Sequence, residues 1–316
     1  MIIKFWGVRG SIPTPLLPVE YENKIREILS LASAVDISDN NKVEAFISDL
    51  PSYLKTTYGG NTSCVTISSD QVSIILDAGS GLRLLGSDIE NGKYTNITGD
   101  EYHMFLSHLH WDHINGLPFF IPLHKNNSKI NFYSAHENCE DVLSEQQKQE
   151  FFPVSLESRP VDIEFHQLTE ENEIKLKDLK IQTKKLGHPN DSYAFKITDS
   201  NNKSIVYSTD GEYDHTSKMD TYIAFYKDSE ILIFDWQYSP EDIGTKKGFG
   251  HSSYKIGIDI AVSSQVKKIA LFHHNHDYND KVIDQNFENA KKYLRDKYPE
   301  SKLEIILANE NSDINI

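Results

Sequence analysis

The chain is poor in cysteine, in basic charge and in long apolar runs. Its two cysteines, Cys64 and Cys139, are too few for a disulfide framework. Neither lies in a CxxC pair, so both are expected to be buried structural thiols. Lys and Arg number 32 against 47 Asp and Glu, a net charge of −15. A general binder of nucleic acid would meet repulsion unless a local basic patch intervened. The longest apolar runs, such as Ile231-Leu232-Ile233-Phe234, are far too short to span a bilayer. The N-terminal Met1–Gly7 has no long apolar core and runs straight into Arg9 and Pro13, so no signal peptide is expected. A cytoplasmic enzyme is the simplest expectation.

Histidine and aspartate, by contrast, are concentrated in one place. The stretch Phe105-Leu106-Ser107-His108-Leu109-His110-Trp111-Asp112-His113 holds three histidines and an aspartate in its last six residues. Met104-Phe105-Leu106 reads as the end of a buried strand. His108 and His110 are two apart, so in an extended segment they point the same way. Asp112 falls where a helix N-cap belongs, ahead of Ile114, Leu117 and Phe120. In that geometry His108 and His110 grip one ion while Asp112 and His113 turn toward a second. One His-x-His is weak evidence, but four ligand-type residues in HxHxDH mark a metal site. Imidazole and carboxylate suit zinc, and also manganese or iron.

Taken in order, residues 2–8 read as a first strand, broken by Gly7, Gly10 and Pro13. Residues 16–55 read as an insertion of two helices. Ile25, Ile28, Leu29 and Ala32 share one face, as do Val43, Phe46, Ile47 and Leu50, and Pro51 ends the second helix. A solvated hairpin covering the core is the plain expectation, and a lid or dimer contact the functional one. Strands are expected at 64–68, 71–76, 102–107 and 129–133, and a helix at 141–149. Strands 161–166 and 173–186 are read as one hairpin turning at Glu170-Glu171-Asn172. Strands at 192–198, 203–208, 230–234, 268–272 and 302–307 alternate with helices at 252–264 and 283–297. Without repeats or a low-complexity linker, 1–316 is expected to form one domain.

Further polar residues stand at strand ends: Asp77 in Asp77-Ala78-Gly79, His188 in Gly187-His188-Pro189, Asp210 in Ser208-Thr209-Asp210-Gly211, and His273 after Ile269–Phe272. A lone His or Asp in such a place is usually a cap or a turn residue. The HxHxDH block, however, looks like the signature of the metallo-β-lactamase superfamily. The later motifs resemble its phosphodiesterase branch, that of ribonuclease Z and phosphoribosyl cyclic phosphodiesterase. The resemblance spans nearly the whole chain outside 16–55. It implies an α+β fold, a four-layer αββα sandwich with one or two metal ions at its edge.

Carried over residue by residue, the resemblance gives His108, His110 and His188 to one ion and Asp112, His113 and His273 to the other, with Asp210 bridging. His274 rivals His273, because adjacent side chains of a strand cannot both face one metal. Asp77 takes an orienting role beneath the metal loop. His251, in Gly250-His251-Ser252-Ser253, faces the substrate phosphate with Asp235 in support, although it could simply cap the following helix. Asp112, His251 and Asp235 are the catalytic candidates. Asn275-His276-Asp277 and Asn309-Glu310 depart from the family's pattern, which bears on substrate choice. The implied cofactors are two divalent ions, zinc first, with manganese or iron compatible.

The implied activity is hydrolysis of a small or cyclic phosphodiester, such as a cyclic nucleotide, by metal-bound hydroxide. Two ions bring about +4, two aspartates about −2 and a hydroxide about −1, leaving roughly +1 for a singly charged phosphodiester. His251 then donates a proton to the leaving oxygen. Alternatives on the same fold are an acyl hydrolase (a thioesterase or lactonase) and a tRNA 3′-processing nuclease. The acidic balance and the lack of a recognisable tRNA-gripping arm disfavour the nuclease. A sensor without turnover is disfavoured by the intact ligand set. Relatives are commonly dimers, so a homodimer is expected, and no membrane partner.

Overall fold

The computed structural model describes residues 1–213 and 218–316. Six strands build a first sheet: β1 (Ile2–Gly7), β2 (Cys64–Ser68), β3 (Ser73–Leu76), β4 (Glu101–Leu106), β5 (Lys129–Ser134) and β6 (Asp162–Gln167). The next seven build a second: β7 (Ile174–Leu176), β8 (Leu179–Leu186), β9 (Ser192–Thr198), β10 (Ser204–Ser208), β11 (Ile231–Asp235), β12 (Lys268–Phe272) and β13 (Glu304–Leu307). A last strand, β14 (Asp313–Asn315), returns to the first sheet beside β1. The orders are β14-β1-β2-β3-β4-β5-β6 and β13-β12-β11-β10-β9-β8-β7. The helices are α1 (Pro18–Ala32), α2 (Asn40–Asp49), α3 (Ser52–Lys55), α4 (Leu82–Glu90), α5 (Trp111–Ile114), α6 (Cys139–Gln146), α7 (Met219–Tyr226), α8 (Tyr254–Ser263) and α9 (Asp280–Lys297).

Successive side chains of a strand leave it on opposite faces. Phe105 of β4 enters the core between the sheets with Phe5, Ile67, Phe195, Ile233 and Phe272. Its neighbours Met104 and Leu106 face outward, against Leu85, Leu117 and Phe120. In β11, Ile231 and Ile233 face the other sheet. Leu232 and Phe234 pack on Tyr226, Ile258 and Ile283 of α7, α8 and α9. Sheets covered on both faces demand near-continuous apolar strands, which is why the short runs of the sequence carry no alternation. The result is the expected αββα sandwich. Both cysteines are buried and free.

Strands β3 to β6 are parallel, as are β10 to β13. Parallel strands put all their C-terminal ends on one edge, where open sheets bind ligands. The strand-end residues singled out above therefore share an edge.

Three expectations are corrected. Segments 161–166 and 173–186 do not pair: β6 adds to the first sheet beside β5, while 173–186 is split at Lys177 (φ 54°) into the β7–β8 hairpin of the second. The polar turn at 170–172 is the crossover between sheets, and turn chemistry alone does not say which sheet receives the next strand. The last strand is β14, not the one at 302–307. The insertion is helical but meets the core only at its end: no residue of α1 or α2 is buried, while Leu50 and Leu54 are and Tyr53 packs against the core cluster that includes Tyr58 and Ile283.

The loop after β4 is latched onto the end of β3. Ala78 N–H donates to His113 O at 2.7 Å, and Gly116 N–H donates to Ala78 O at 2.9 Å. A Cβ at Gly116 would stand 1.9 Å from the Gly79 carbonyl oxygen. Gly116→Ala is expected to destabilise the fold by about 1–3 kcal/mol or more, read as a lower urea midpoint. An unshifted midpoint would mean that the two loops can part without cost.

Candidate metal centre

Each candidate ligand follows a buried strand, so its backbone is anchored before its side chain is presented. Three of these ends bend sharply: Asp77, Asp210 and His273 have φ of 60°, 53° and 65°. A non-glycine residue held there costs of the order of 1–3 kcal/mol and persists only where its surroundings over-determine it.

The side chains converge in two groups. His108, His110 and His188 offer ring nitrogens within 4.8 Å of one another, and so do ligand atoms of Asp112, His113, Asp210 and His273. In the first group His110 Nδ1 lies 3.0 Å from His108 Nε2 and 3.1 Å from His188 Nε2. In the second, His113 Nε2 lies 3.3 Å from Asp112 Oδ2 and 3.2 Å from Asp210 Oδ2. His273 Nε2 is 3.2 Å from Asp112 Oδ2 and 3.3 Å from Asp210 Oδ2. Asp210 joins the groups: its other oxygen, Oδ1, is 3.8 Å from His108 Nε2.

This donor set fits two divalent ions. Nitrogens about 2.0–2.1 Å from one tetrahedral ion stand roughly 3.3 Å apart, close to the spacing seen. Three imidazole nitrogens at one point cannot all donate to each other, and His113 Nε2 faces two carboxylate oxygens at 3.3 and 3.2 Å. A cation shared within each group satisfies them.

Protonation agrees with that use. Burial pushes His108 well below the usual imidazole range, aided by charge on His113. Burial likewise lowers His110 and His188. Those three are thus neutral, the ligand form. Burial alone would raise the Asp210 carboxyl, but His273, His113 and His108 hold it well below the usual range. Asp112 behaves alike, its burial outweighed by the charge and hydrogen bond of His113. His113 and His273 go the other way. Burial disfavours their charge, yet Asp210 and Asp112 raise His113, while Asp210, Asp112 and Asp235 raise His273 to about 10. Divalent ions can take the place of these two protons against the same carboxylates.

The orienting partners are built from the core. Asp77, fully buried, accepts from Ser107 N–H at 2.7 Å and Ser107 Oγ at 2.8 Å. It also accepts from His113 Nδ1 at 2.7 Å and Tyr207 OH at 2.7 Å. With Nδ1 engaged, His113 turns Nε2 to the centre. His188 Nδ1 donates to Gly250 O at 2.9 Å with the same effect.

His274 spends both nitrogens elsewhere. Trp236 Nε1 donates to its Nδ1 at 2.8 Å, and its Nε2 donates to Ala308 O at 2.7 Å. His273 alone of the pair reaches the centre. Asp112 is not an N-cap: His110 holds that position, and Asp112 lies inside the first turn of α5. Its Oδ2 accepts from Ser11 N–H at 2.7 Å, a contact across 101 residues that no local pattern announces. His251 does not cap α8, whose N-cap is Ser253. Its Nδ1 is 2.9 Å from Asp235 Oδ2, and its ring stacks on His273 at 5.2 Å. Glu310, at one of the departures from the family pattern, turns to Asn61, accepting from its side-chain amide at 3.1 Å.

Sequence reasoning missed Ser11, Ser107, Tyr207 and Gln237. Gln237 Nε2 reaches Ser11 Oγ at 3.3 Å, and its backbone N–H donates to Asp235 Oδ1 at 2.8 Å. Only Ser107 carried a local signal, lying next to His108.

Comparison with known proteins agrees. Residues 74–274, more than half of the chain, match a family model described as a beta-lactamase superfamily domain. The chain belongs to that superfamily, and its fold and converging His/Asp set make it a metal-dependent hydrolase of the metallo-β-lactamase type. It is 22% identical over 262 residues to a ribonuclease Z of Oceanobacillus iheyensis, covering 66% of this chain and 80% of that one. The crystal structure of the metallo-beta-lactamase fold protein YhfI from Bacillus subtilis aligns with a TM-score of 0.63 at 17% identity, covering 99% of this chain and 98% of that one. Human tRNase Z, short form, aligns with a TM-score of 0.59 at 16% identity, covering 100% and 99%. No helix among the described residues is long and apolar enough to cross a membrane.

Removing the carboxylate beneath the centre should loosen the ligands without deleting one. Asp77→Ala is expected to weaken zinc binding roughly 10- to 100-fold in competition with a chelator. Wild-type affinity in the variant would show that Asp77 does not orient the site.

Proposed function

We propose that the protein is a dinuclear metal-dependent phosphodiesterase acting on a small or cyclic phosphodiester. His108, His110 and His188 would hold one ion, Asp112, His113 and His273 the other, and Asp210 both, with zinc the expected metal. Bound there, the ions supply a positive field for the phosphate and bring the pKa of water toward neutrality. The chain's residues supply the rest. Asp77 and Ser11 fix the ligands on the Asp112–His113 side. Asp235 holds His251 through Nδ1 and leaves Nε2 as the free nitrogen. Held in this way, His251 can carry a proton on Nε2 and donate it to the leaving oxygen, a role worth about 10²–10⁴ in rate.

The observation that carries this reading is the His251–Asp235 pair beside Asp210 and His273. An acyl hydrolase needs the metal centre but has less use for a proton donor held beside a phosphate. The similarity to ribonuclease Z supports phosphodiester chemistry, while the charge of −15 favours a small substrate over tRNA. Bis(p-nitrophenyl) phosphate is expected to be hydrolysed by zinc-loaded protein, with loss of turnover in Asp210→Ala. His251→Ala is expected to lower kcat by 10²–10⁴ with metal still bound. Full turnover in His251→Ala would remove the proposed proton donor. Failure of the loaded wild type would shift the reading to acyl substrates.

A homodimer is the second part of the reading. Tyr21, Ile25 and Leu29, one helical turn apart along α1, are 60%, 40% and 64% exposed and form an apolar stripe that a second copy would cover. Leu29→Glu is expected to turn a dimer into a monomer in sedimentation equilibrium. A dimer unaffected by that change would place the interface elsewhere.

A further inference from the structure

The segment that presents His251 has little stiffness of its own. It runs Gly248-Phe249-Gly250-His251, and both glycines take left-handed backbone angles, with φ of 85° and 82°. Glycine visits that region as readily as any other, so such a segment has many alternatives unless its N–H groups are held. A Cβ on Gly250 would stand 2.0 Å from His188 Nδ1, so that position admits no side chain.

Glu212 supplies the hold. Its Oε2 accepts from Gly248 N–H at 2.8 Å and from Gly250 N–H at 3.3 Å. Its own backbone N–H donates to Gly187 O at 2.8 Å. Glu212 follows Asp210 by two residues, Gly187 directly precedes His188, and Gly250 directly precedes His251. The Gly250 carbonyl accepts from His188 Nδ1 at 2.9 Å and closes the ring of contacts. The segments that carry Asp210, His188 and His251 thus meet at one half-buried carboxylate. Hydrogen bonds from N–H groups to an ionised carboxylate are stronger than those between neutral groups. Asp235 fixes the ring of His251 through Nδ1, at 2.9 Å. Glu212 fixes the backbone from which that ring hangs.

A carboxylate can cap a turn in this way with no consequence for chemistry. Here the turn ends on the residue that must meet the leaving oxygen, and a misplacement of about 1 Å can cost about 10²-fold in rate.

We propose that Glu212 is a positioning residue, which holds His251 in register with the metal ligands so that its Nε2 meets the leaving oxygen. The inference rests on the phosphodiesterase reading, with His251 as proton donor, and adds to it a residue outside the ligand set. The step served is one proton transfer. As the P–O bond breaks, its electron pair stays on the leaving oxygen, which takes the proton from Nε2.

The test uses zinc-loaded protein and two esters, methyl p-nitrophenyl phosphate and methyl phenyl phosphate. The phenyl ester has the more basic leaving oxygen and needs the proton more. The readout is the ratio of kcat for the nitrophenyl ester to kcat for the phenyl ester. His251→Ala is expected to raise it about tenfold, and Glu212→Ala to raise it by a similar factor with zinc retained. Two further variants separate reach from charge. Glu212→Gln keeps an oxygen that can accept both N–H groups and is expected to keep the wild-type ratio. Glu212→Asp keeps the charge but is one methylene shorter, and is expected to behave like Glu212→Ala. A purely structural role would slow both esters alike. Zinc content is measured in every variant, and if Glu212→Ala does not fold, Glu212→Asp decides. A ratio unmoved in Glu212→Ala, or kept in Glu212→Asp and raised in Glu212→Gln, overturns the proposal.

A second readout separates this failure from failure of the phosphodiesterase reading. The His251 Nδ1 proton, bonded to Asp235, is expected as a downfield imidazole resonance, assigned by its absence from His251→Ala. If the wild type turns over neither ester, or His251→Ala leaves the ratio unmoved, that reading fails and the ring proton decides the positioning. Its loss to exchange in Glu212→Ala and Glu212→Asp, with retention in the wild type and Glu212→Gln, sustains the positioning. Its retention in Glu212→Ala, or its absence from the wild type, rejects it.

Discussion

The buried carboxylate of Asp77 is the constraint on which the centre depends. A charge without exposure is costly unless it is fully paired and hydrogen-bonded. Asp77 meets that demand with four donors, from Ser107 twice, His113 and Tyr207. Ser107 and His113 belong to the loop and the short helix α5 that follow β4 of the first sheet, and Tyr207 to β10 of the second. One residue therefore ties the two sheets together at the edge where they present ligands. It also sets which nitrogen of His113 is free. The backbone strain at Asp77 is tolerable because these bonds leave the chain no other path.

Around that anchor the electrostatics divide. On the His108 side, burial strips three imidazoles of their protons. On the Asp112 side, the carboxylates of Asp210 and Asp112 favour the charged form of His113 and His273. The same small volume thus holds neutral donors and acidic donors, with Asp210 belonging to both. With divalent ions bound, such a centre would concentrate the attraction for anions in one spot of an acidic protein. Lys246 and Lys247, both exposed and close in sequence to His251, add to that local field on a chain that otherwise repels polyanions.

Much of the sandwich was legible. Strand positions follow from apolar runs bounded by turns, and β12 falls on the expected residues 268–272. Register between sheets was not legible. The Glu170–Asn172 turn looks like a hairpin turn whether the next strand stays in its sheet or crosses over. The short β14 was missed because three residues carry too little pattern. The helices of 16–55 were visible from their periodicity, but an apolar stripe does not say whether the core or solvent lies against it, and here α1 and α2 bury nothing.

By itself the sequence marked the HxHxDH block as metal-binding chemistry, a local property of residue type and spacing, while His188, Asp210 and His273 at later strand ends stood out only through the family resemblance. The choice between His273 and His274, the tautomer of His113, the hold of Ser11 on Asp112 and the pairing of His251 with Asp235 were decided only by the tertiary structure. Each depends on atoms brought together across tens to hundreds of residues, and on burial, which sets whether an imidazole is a neutral ligand or a charged partner. Short-range pattern carries no trace of either.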